Sequence, residues 1–359
     1  MKTPPRVDES PLPILTPRQI AERLSRHVVG QERAKRALAV AAYNHLKRTA
    51  LRRGRRPGPT VRKSNVLMVG PTGSGKTHLA RHLAQALDVP FHVADATEFT
   101  EAGYYGKDVE VMIAELLARS GHSVEQAQRG IVFIDEVDKI ARRSQGHRAG
   151  VGARDIGGEG VQQALLKILE GREILVPLNL AQHWQRHDAV TVDTTDILFV
   201  CAGTFTDVFA YGAEGRALGF GARDAARRAA RRVRTKDLLE YGMLAEFLGR
   251  LPIVVQLDEL GADELLEILT VPPDAVVREV KELLSADGVE ISFTDGALRE
   301  IVRFALERGA GARGLRSIVE ETVSDLLFEA PEHRGARVIV DLAFVRRRME
   351  RLDPVLWRE

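Results

Sequence analysis

Five short runs of consecutive apolar residues punctuate the first 260 positions, at 65–70, 89–94, 130–135, 196–203 and 251–257. Within each run the apolarity is continuous rather than alternating. That pattern predicts strands buried on both faces, as in a parallel sheet flanked by helices. Helical spacing fills the intervals, including 78–86 directly after the first run. Ahead of the sheet, Thr16-Pro17-Arg18-Gln19 reads as a helix start, with Thr16 capping, Pro17 at the first helical position and Gln19 closing a capping box. Near residue 258 the character changes to mainly helical, with helices expected at 263–270, 273–286, 294–308 and 314–329 and a short strand at 338–341. In the last of these helices Leu315, Ile318, Val319, Thr322, Val323, Leu326 and Leu327 recur on one face. The pattern predicts an α/β domain over 14–259 and a smaller helical one over 260–359, preceded by a proline-rich tail, 1–13, expected to be disordered.

Composition adds mostly exclusions. Of 359 residues, 44% are hydrophobic and 28% charged, which is ordinary for globular proteins. The single cysteine, Cys201, lies inside an apolar run and is expected to be a core thiol. It leaves no intrachain disulfide and no cysteine-based zinc site, and a reducing, cytoplasmic setting is expected. No stretch approaches the ~18 apolar residues of a membrane span, so a soluble protein is expected. Net charge is only +2, yet 47–63 holds eight basic residues and no acid. A second stretch, 223–236, holds seven basic residues against one acid. Neither has the interleaved aromatics that stack on bases. Both a solvated surface and a binding patch remain open readings.

The chemistry is concentrated after the first run. Gly70-Pro71-Thr72-Gly73-Ser74-Gly75-Lys76-Thr77 follows a predicted strand, and a predicted helix opens at His78. This is the phosphate-binding loop pattern in the context that gives it meaning. Glycines let backbone amides converge on phosphate oxygens, and the helix N-terminus adds a favourable field. Lys76 is expected to reach the β- and γ-phosphates and Thr77 to ligate Mg²⁺. A second apolar strand, Ile131-Val132-Phe133-Ile134, ends in Asp135-Glu136. Asp135 is expected to organise Mg²⁺ and Glu136 to polarise the attacking water. Together the two motifs predict nucleoside triphosphate hydrolysis with ATP and Mg²⁺ as cofactors.

Several further strings resemble the ClpX family, the AAA+ unfoldase subunits of Clp proteases. They are Val28-Val29-Gly30-Gln31, Ala94-Asp95-Ala96-Thr97, Glu101-Ala102-Gly103-Tyr104-Tyr105-Gly106, Gly158-Glu159-Gly160-Val161-Gln162-Gln163-Ala164-Leu165-Leu166-Lys167, Gly249-Arg250-Leu251-Pro252 and Gly311-Ala312-Arg313-Gly314-Leu315-Arg316-Ser317. The resemblance implies a hexameric ring that pulls polypeptide through its pore and hands it to a Clp peptidase. It implies that Val28 and Val29 pack on adenine, that Arg250 is an arginine finger reaching a neighbour's nucleotide, and that Arg313 is the sensor-2 arginine. Thr204 is a candidate for sensor 1.

By the same resemblance, Tyr104 and Tyr105 form a pore loop, with a tyrosine at 105 where the family usually has an aliphatic residue. A second pore loop is expected over 142–156. Leu218-Gly219-Phe220 matches the tripeptide that docks on the peptidase. Two departures bear on substrate choice. The family's N-terminal four-cysteine zinc domain has no counterpart here, so adaptor dependence is open and no zinc is expected. The family's basic pore-entrance loop falls at Gln182-His183-Trp184, two cations poorer. His183 and His187 lack a third ligand and make a poor metal site. The rival reading, drawing on the basic stretches, is a nucleic-acid-stimulated AAA+ motor.

Overall fold

A computed structural model describes residues 14–53, 62–99, 108–142, 158–177, 189–206, 208 and 232–352. Helix α1 (Pro17–Ser25) begins as the sequence predicts: the Gln19 amide donates to Thr16 Oγ1 at 3.3 Å, and the Thr16 amide donates to Gln19 Oε1 at 2.9 Å. It packs on the long helix α2 (Glu32–Arg53). Among the described residues seven strands follow before residue 260: β1 (Val66–Val69), β2 (Phe91–Asp95), β3 (Ile131–Asp135), β4 (Glu173–Pro177), β5 (Ala189–Asp193), β6 (Leu198–Gly203) and β7 (Ile253–Gln256). The five apolar runs of the sequence are β1, β2, β3, β6 and β7. They form one parallel sheet in the order β2-β3-β6-β1-β7.

Strand periodicity explains why those runs are apolar throughout. Leu67, Val69, Val132, Ile134, Phe199 and Cys201 point into one core cluster. Their neighbours Val66, Met68, Ile131, Phe133, Leu198 and Val200 point into the other, where α1, α2 and helix α3 (Lys76–Leu87) pack. Every second residue faces the same side, so burial of both faces demands hydrophobes at every position. Cys201 is fully buried, and burial pushes its thiol pKa up, as befits a core thiol. A further cluster draws all its members from residue 260 onward. It gathers helices Ala262–Thr270, Val276–Ala286, Asp295–Glu307 and Gly311–Glu329 around residues such as Leu265, Leu284, Phe304, Ile318 and Val323.

Some elements lay beyond the sequence pattern. β4 and β5 pair antiparallel as a separate ribbon in which Ile174 and Val176 are buried but Leu175 is exposed. The strand expected at 338–341 is present as Arg337–Val340, and it pairs in parallel with an unexpected one, Glu290–Phe293, which carries only two apolar positions. The chain's last described helix, Leu342–Leu352, is rich in arginine and shows little continuous apolarity.

Three of the eight cations of the first basic stretch are engaged by the fold; Arg55 and Arg56 lie outside the described residues. Arg52 pairs with Asp193 at 2.8 Å, and Arg48 donates to the Thr195 carbonyl at 2.9 Å and lies 3.5 Å from Asp196. Lys63 Nζ donates to the Thr194 carbonyl at 2.7 Å and sits over the Phe199 ring. Burial, with help from Arg48, lowers its pKa to about 7. These cations fasten the turn between β5 and β6 to the end of α2. The charges that suggested a binding patch are, at these three residues, internal ties.

Candidate nucleotide site

Parallel topology puts the C-terminal ends of β1, β3 and β6 side by side, with β6 between the other two. This is where open α/β sheets bind ligands. After β1 the chain turns through Gly73 (φ +76°) and Gly75 (φ +92°), left-handed positions that favour glycine. Helix α3 then starts at Lys76 with no side-chain cap, leaving its first amides for an anion. Lys76 curls back over its own loop, donating to the carbonyls of Gly70 at 2.7 Å and Pro71 at 2.9 Å. Burial lowers the Lys76 pKa; Asp135 and Asp138 oppose that shift and Arg313 adds to it. Ser74 Oγ is buried without a hydrogen-bond partner.

Thr77 Oγ1 donates to Asp135 Oδ2 at 3.2 Å. The hydroxyl of the phosphate loop and the carboxylate at the end of β3 therefore already adjoin, as two oxygen ligands of one Mg²⁺ must. Asp135 Oδ1 accepts the Glu136 amide at 2.9 Å. Glu136 itself is a non-glycine residue at φ +58°, which turns its side chain away from the strand into the exposed cleft. Thr204, just past β6, donates to the buried Asp138 at 2.8 Å and lines the same cleft. The cleft has a volume of about 620 Å³, within the range of small-molecule sites. Its polar end holds Gly73 to His78, Asp135 and Glu136; its apolar end holds Val28, Val29, Leu260, Ile268 and Val276. Convergent amides, a buried cation, an orphaned hydroxyl and an apolar slot fit a magnesium nucleotide.

Arg313 also lines the cleft, from the first turn of Gly311–Glu329, and makes no ion pair among the described residues. Arg250 does not. It precedes β7, whose first residue, Ile253, pairs with Val66 at the start of β1. The phosphate loop leaves the other end of β1, so Arg250 sits at the opposite edge of the sheet from its own nucleotide site. Its guanidinium is half exposed and paired with Glu170, and its carbonyl accepts from Asn65 Nδ2 at 3.1 Å.

Sequence reasoning missed Leu260, Ile268 and Val276, which close the apolar end from beyond residue 260. It also missed Asp138, whose carboxylate is held by Thr204, and Gln31, whose amide group exchanges two hydrogen bonds with the Asp258 backbone at 2.7 and 3.0 Å. The DE-x-D spacing after β3 was the one available signal for Asp138. Tyr104, Tyr105, Leu218, Gly219, Phe220, the segment 182–187 and nearly all of 142–156 lie outside the described residues.

A parallel sheet of this order with a phosphate loop after β1, an Asp-Glu pair after β3 and a helical unit closing the cleft defines a AAA+ ATPase. The description "AAA domain (Cdc48 subfamily)" matches residues 61–254, and "C-terminal, D2-small domain, of ClpB protein" matches residues 260–339. The chain is 46% identical over 315 residues to "ATP-dependent Clp protease ATP-binding subunit ClpX 2" of Wolinella succinogenes, covering 88% of this chain and 78% of that protein. It is 44% identical over 336 residues to a ClpX of Porphyromonas gingivalis, covering 91% and 81%. A ClpX of Treponema denticola is 41% identical over 338 residues, covering 91% and 80%. The chain belongs to the ClpX family and is an ATPase. Among the described residues no helix is long and apolar enough to cross a membrane.

Proposed function

We propose that this chain is an ATP-driven protein unfoldase that works as a homo-hexamer in the cytoplasm and feeds a Clp-type peptidase. The division into an ATPase domain over 14–259 and a lid over 260–359 belongs to the same proposal. The observation that carries it is the nucleotide cleft lined from both units; Arg250, half exposed and paired with Glu170, lies at the opposite end of the sheet. A cleft lined from two units changes shape with its contents. An arginine remote from its own site suits a role at a neighbour's, which a ring of subunits would provide.

Thr77 and Asp135 would hold Mg²⁺, and Val28, Val29 and Val276 would clasp the base of ATP. Bound Mg²⁺ supplies charge neutralisation across the transferring phosphoryl group. The protein's own residues do the rest. Lys76 leaves the Gly70 and Pro71 carbonyls for the β- and γ-phosphates. Glu136, exposed to the cleft, orients water and takes its proton as the new P–O bond forms and the bond to the β–γ bridging oxygen breaks, releasing the diphosphate. Arg250 of one subunit neutralises oxygens in the next subunit's site, and Arg313 couples that site to the lid. Tyr104 and Tyr105 would grip the translocating chain and Leu218-Gly219-Phe220 would dock on the peptidase.

Light scattering on the nucleotide-bound protein tests the assembly; a hexamer is expected and a monomer at saturating ATP refutes it. Tyr104→Ala should keep ATP hydrolysis and lose unfolding. Removal of residues 218–220 should spare unfolding and abolish coupling to the peptidase. The nucleic-acid motor loses Arg48, Arg52 and Lys63 of the first basic stretch to contacts within the fold, while 223–231 of the second lie outside the described residues. It predicts DNA-stimulated turnover with steep salt dependence, and none is expected.

A further inference from the structure

Beside the apolar end of the cleft, three side chains from three separate segments converge. His27 precedes Val28 in the turn between α1 and α2, His82 lies on α3, and Asp274 lies on the approach to helix Val276–Ala286. His27 Nδ1 is 3.3 Å from Asp274 Oδ1, and His82 Nε2 is 3.5 Å from Asp274 Oδ2. The three prospective ligand atoms all lie within 4.8 Å of one another. The two imidazoles stack with centroids 4.3 Å apart, and His78 packs edge-on against His82.

We propose that His27, His82 and Asp274 form a Zn²⁺ site that clasps the helical unit to the ATPase unit beside the nucleotide. Zinc bonds to histidine nitrogen and carboxylate oxygen are ~2.0–2.2 Å, so the edges of its tetrahedron are about 3.3–3.5 Å. The His27 Nδ1 to Asp274 Oδ1 separation already has that length, and His82 Nε2 lies as close to the other carboxylate oxygen, Oδ2. The donor set is also selective: two imidazoles and one carboxylate suit zinc, whereas Mg²⁺ and Ca²⁺ take oxygen ligands. Three protein ligands leave a fourth position for water, on a cleft that His27 and Asp274 both line.

No local pattern announces this site, because its members are scattered along the chain and none belongs to a recognised metal pattern.

The consequence is a clamp. Asp274 stands two residues before Val276 of the apolar slot, and His27 stands beside Val28. Zinc joining them fixes the cleft opening and opposes the motion that a turnover cycle requires. That consequence rests on the ATPase reading; binding does not, and is measured without nucleotide.

The test is calorimetric titration of the metal-stripped full chain with Zn²⁺, and a parallel titration with Co²⁺ read by its visible absorption. One Zn²⁺ per chain and a four-coordinate Co²⁺ spectrum are expected. Asp274→Asn, at an exposed position that tolerates change, and His27→Gln should each weaken Zn²⁺ binding at least about tenfold. His333→Gln and Asp135→Asn should bind as the parent does. Zn²⁺ should raise the melting temperature of the parent and not of Asp274→Asn. Absence of uptake, or uptake unchanged in both Asp274→Asn and His27→Gln, overturns the proposal. So does uptake lost only in Asp135→Asn, which would place the ion at the magnesium ligands.

Discussion

The Ala312 amide donates to the Gly73 carbonyl at 3.3 Å, joining the tip of the phosphate loop directly to the first turn of helix Gly311–Glu329. A β-carbon built on Gly73 would lie 2.6 Å from the Ala310 carbonyl oxygen and 3.0 Å from Gly311 Cα. The two backbones touch, and Arg313 is carried on the same turn. Nucleotide entering the loop therefore acts on the helical unit at first contact, with no intervening side chain.

Gly73→Ala tests that contact. The new methyl meets rigid backbone and Gly73 is at φ +76°, so the substitution forces the two units apart. We expect at least a tenfold loss of ATP turnover, at ~1.4 kcal/mol per decade, with unchanged far-ultraviolet circular dichroism. Turnover within twofold of the parent would show that the contact is dispensable.

Arg250→Ala should lower turnover by about 10³-fold with little change in nucleotide affinity, as loss of a finger does. The decisive form is a mixture. Lys76→Ala subunits cannot use their own nucleotide but still carry Arg250, whereas Arg250→Ala subunits retain an intact phosphate loop. Mixed assemblies should recover activity that neither variant has alone. Additive inactivity would place Arg250 outside the reaction.

Glu136→Gln should keep ATP affinity and lose at least about 10²-fold in turnover, because the amide cannot accept the proton of the attacking water. Nucleotide binding by calorimetry and phosphate release are the two readouts. Loss of both together would mean that Glu136 shapes the loop instead of acting on water.

Stability should fall in mild acid through His45. Burial, then Arg48 and Lys63, lowers its pKa to about 3 from an ordinary value of 6.5. The unfolded chain takes up a proton below pH 6.5 that the folded chain refuses until about pH 3. The associated stability is thus complete above pH 6.5 and is lost progressively as pH falls toward 3, by ~1.4 kcal/mol per unit. Denaturant midpoints between pH 6.5 and 5 should show a shallower decline in His45→Gln.

How much was legible depends on whether a residue's meaning was local. The sheet was, because strands buried on both faces must be apolar at every position, and Leu67 beside Met68 announces that. The phosphate loop and Asp135-Glu136 were equally local, each a strand end plus a fixed chemistry. The β4–β5 ribbon was not. One of its faces is exposed, so it alternates, and Leu175 and Thr191 read as ordinary surface. Ile268 and Val276 were invisible as site residues because their role exists only once the helical unit folds over Val28 and Val29. Arg48, Arg52 and Lys63 misled for the opposite reason: their partners, Asp193 to Asp196, lie far along the chain.

An unfoldase is defined by mechanical work on protein. The measurement closest to it is ATP-dependent loss of fluorescence from a stable fluorescent protein bearing an unstructured C-terminal tag, with Glu136→Gln as control. Loss with the parent and none with the variant is the result expected. Several tags are needed, since Gln182-His183-Trp184, which the family resemblance aligns with the pore-entrance loop, is two cations poorer than that loop. Steady ATP hydrolysis by an assembled protein that leaves every tagged substrate fluorescent would contradict the account.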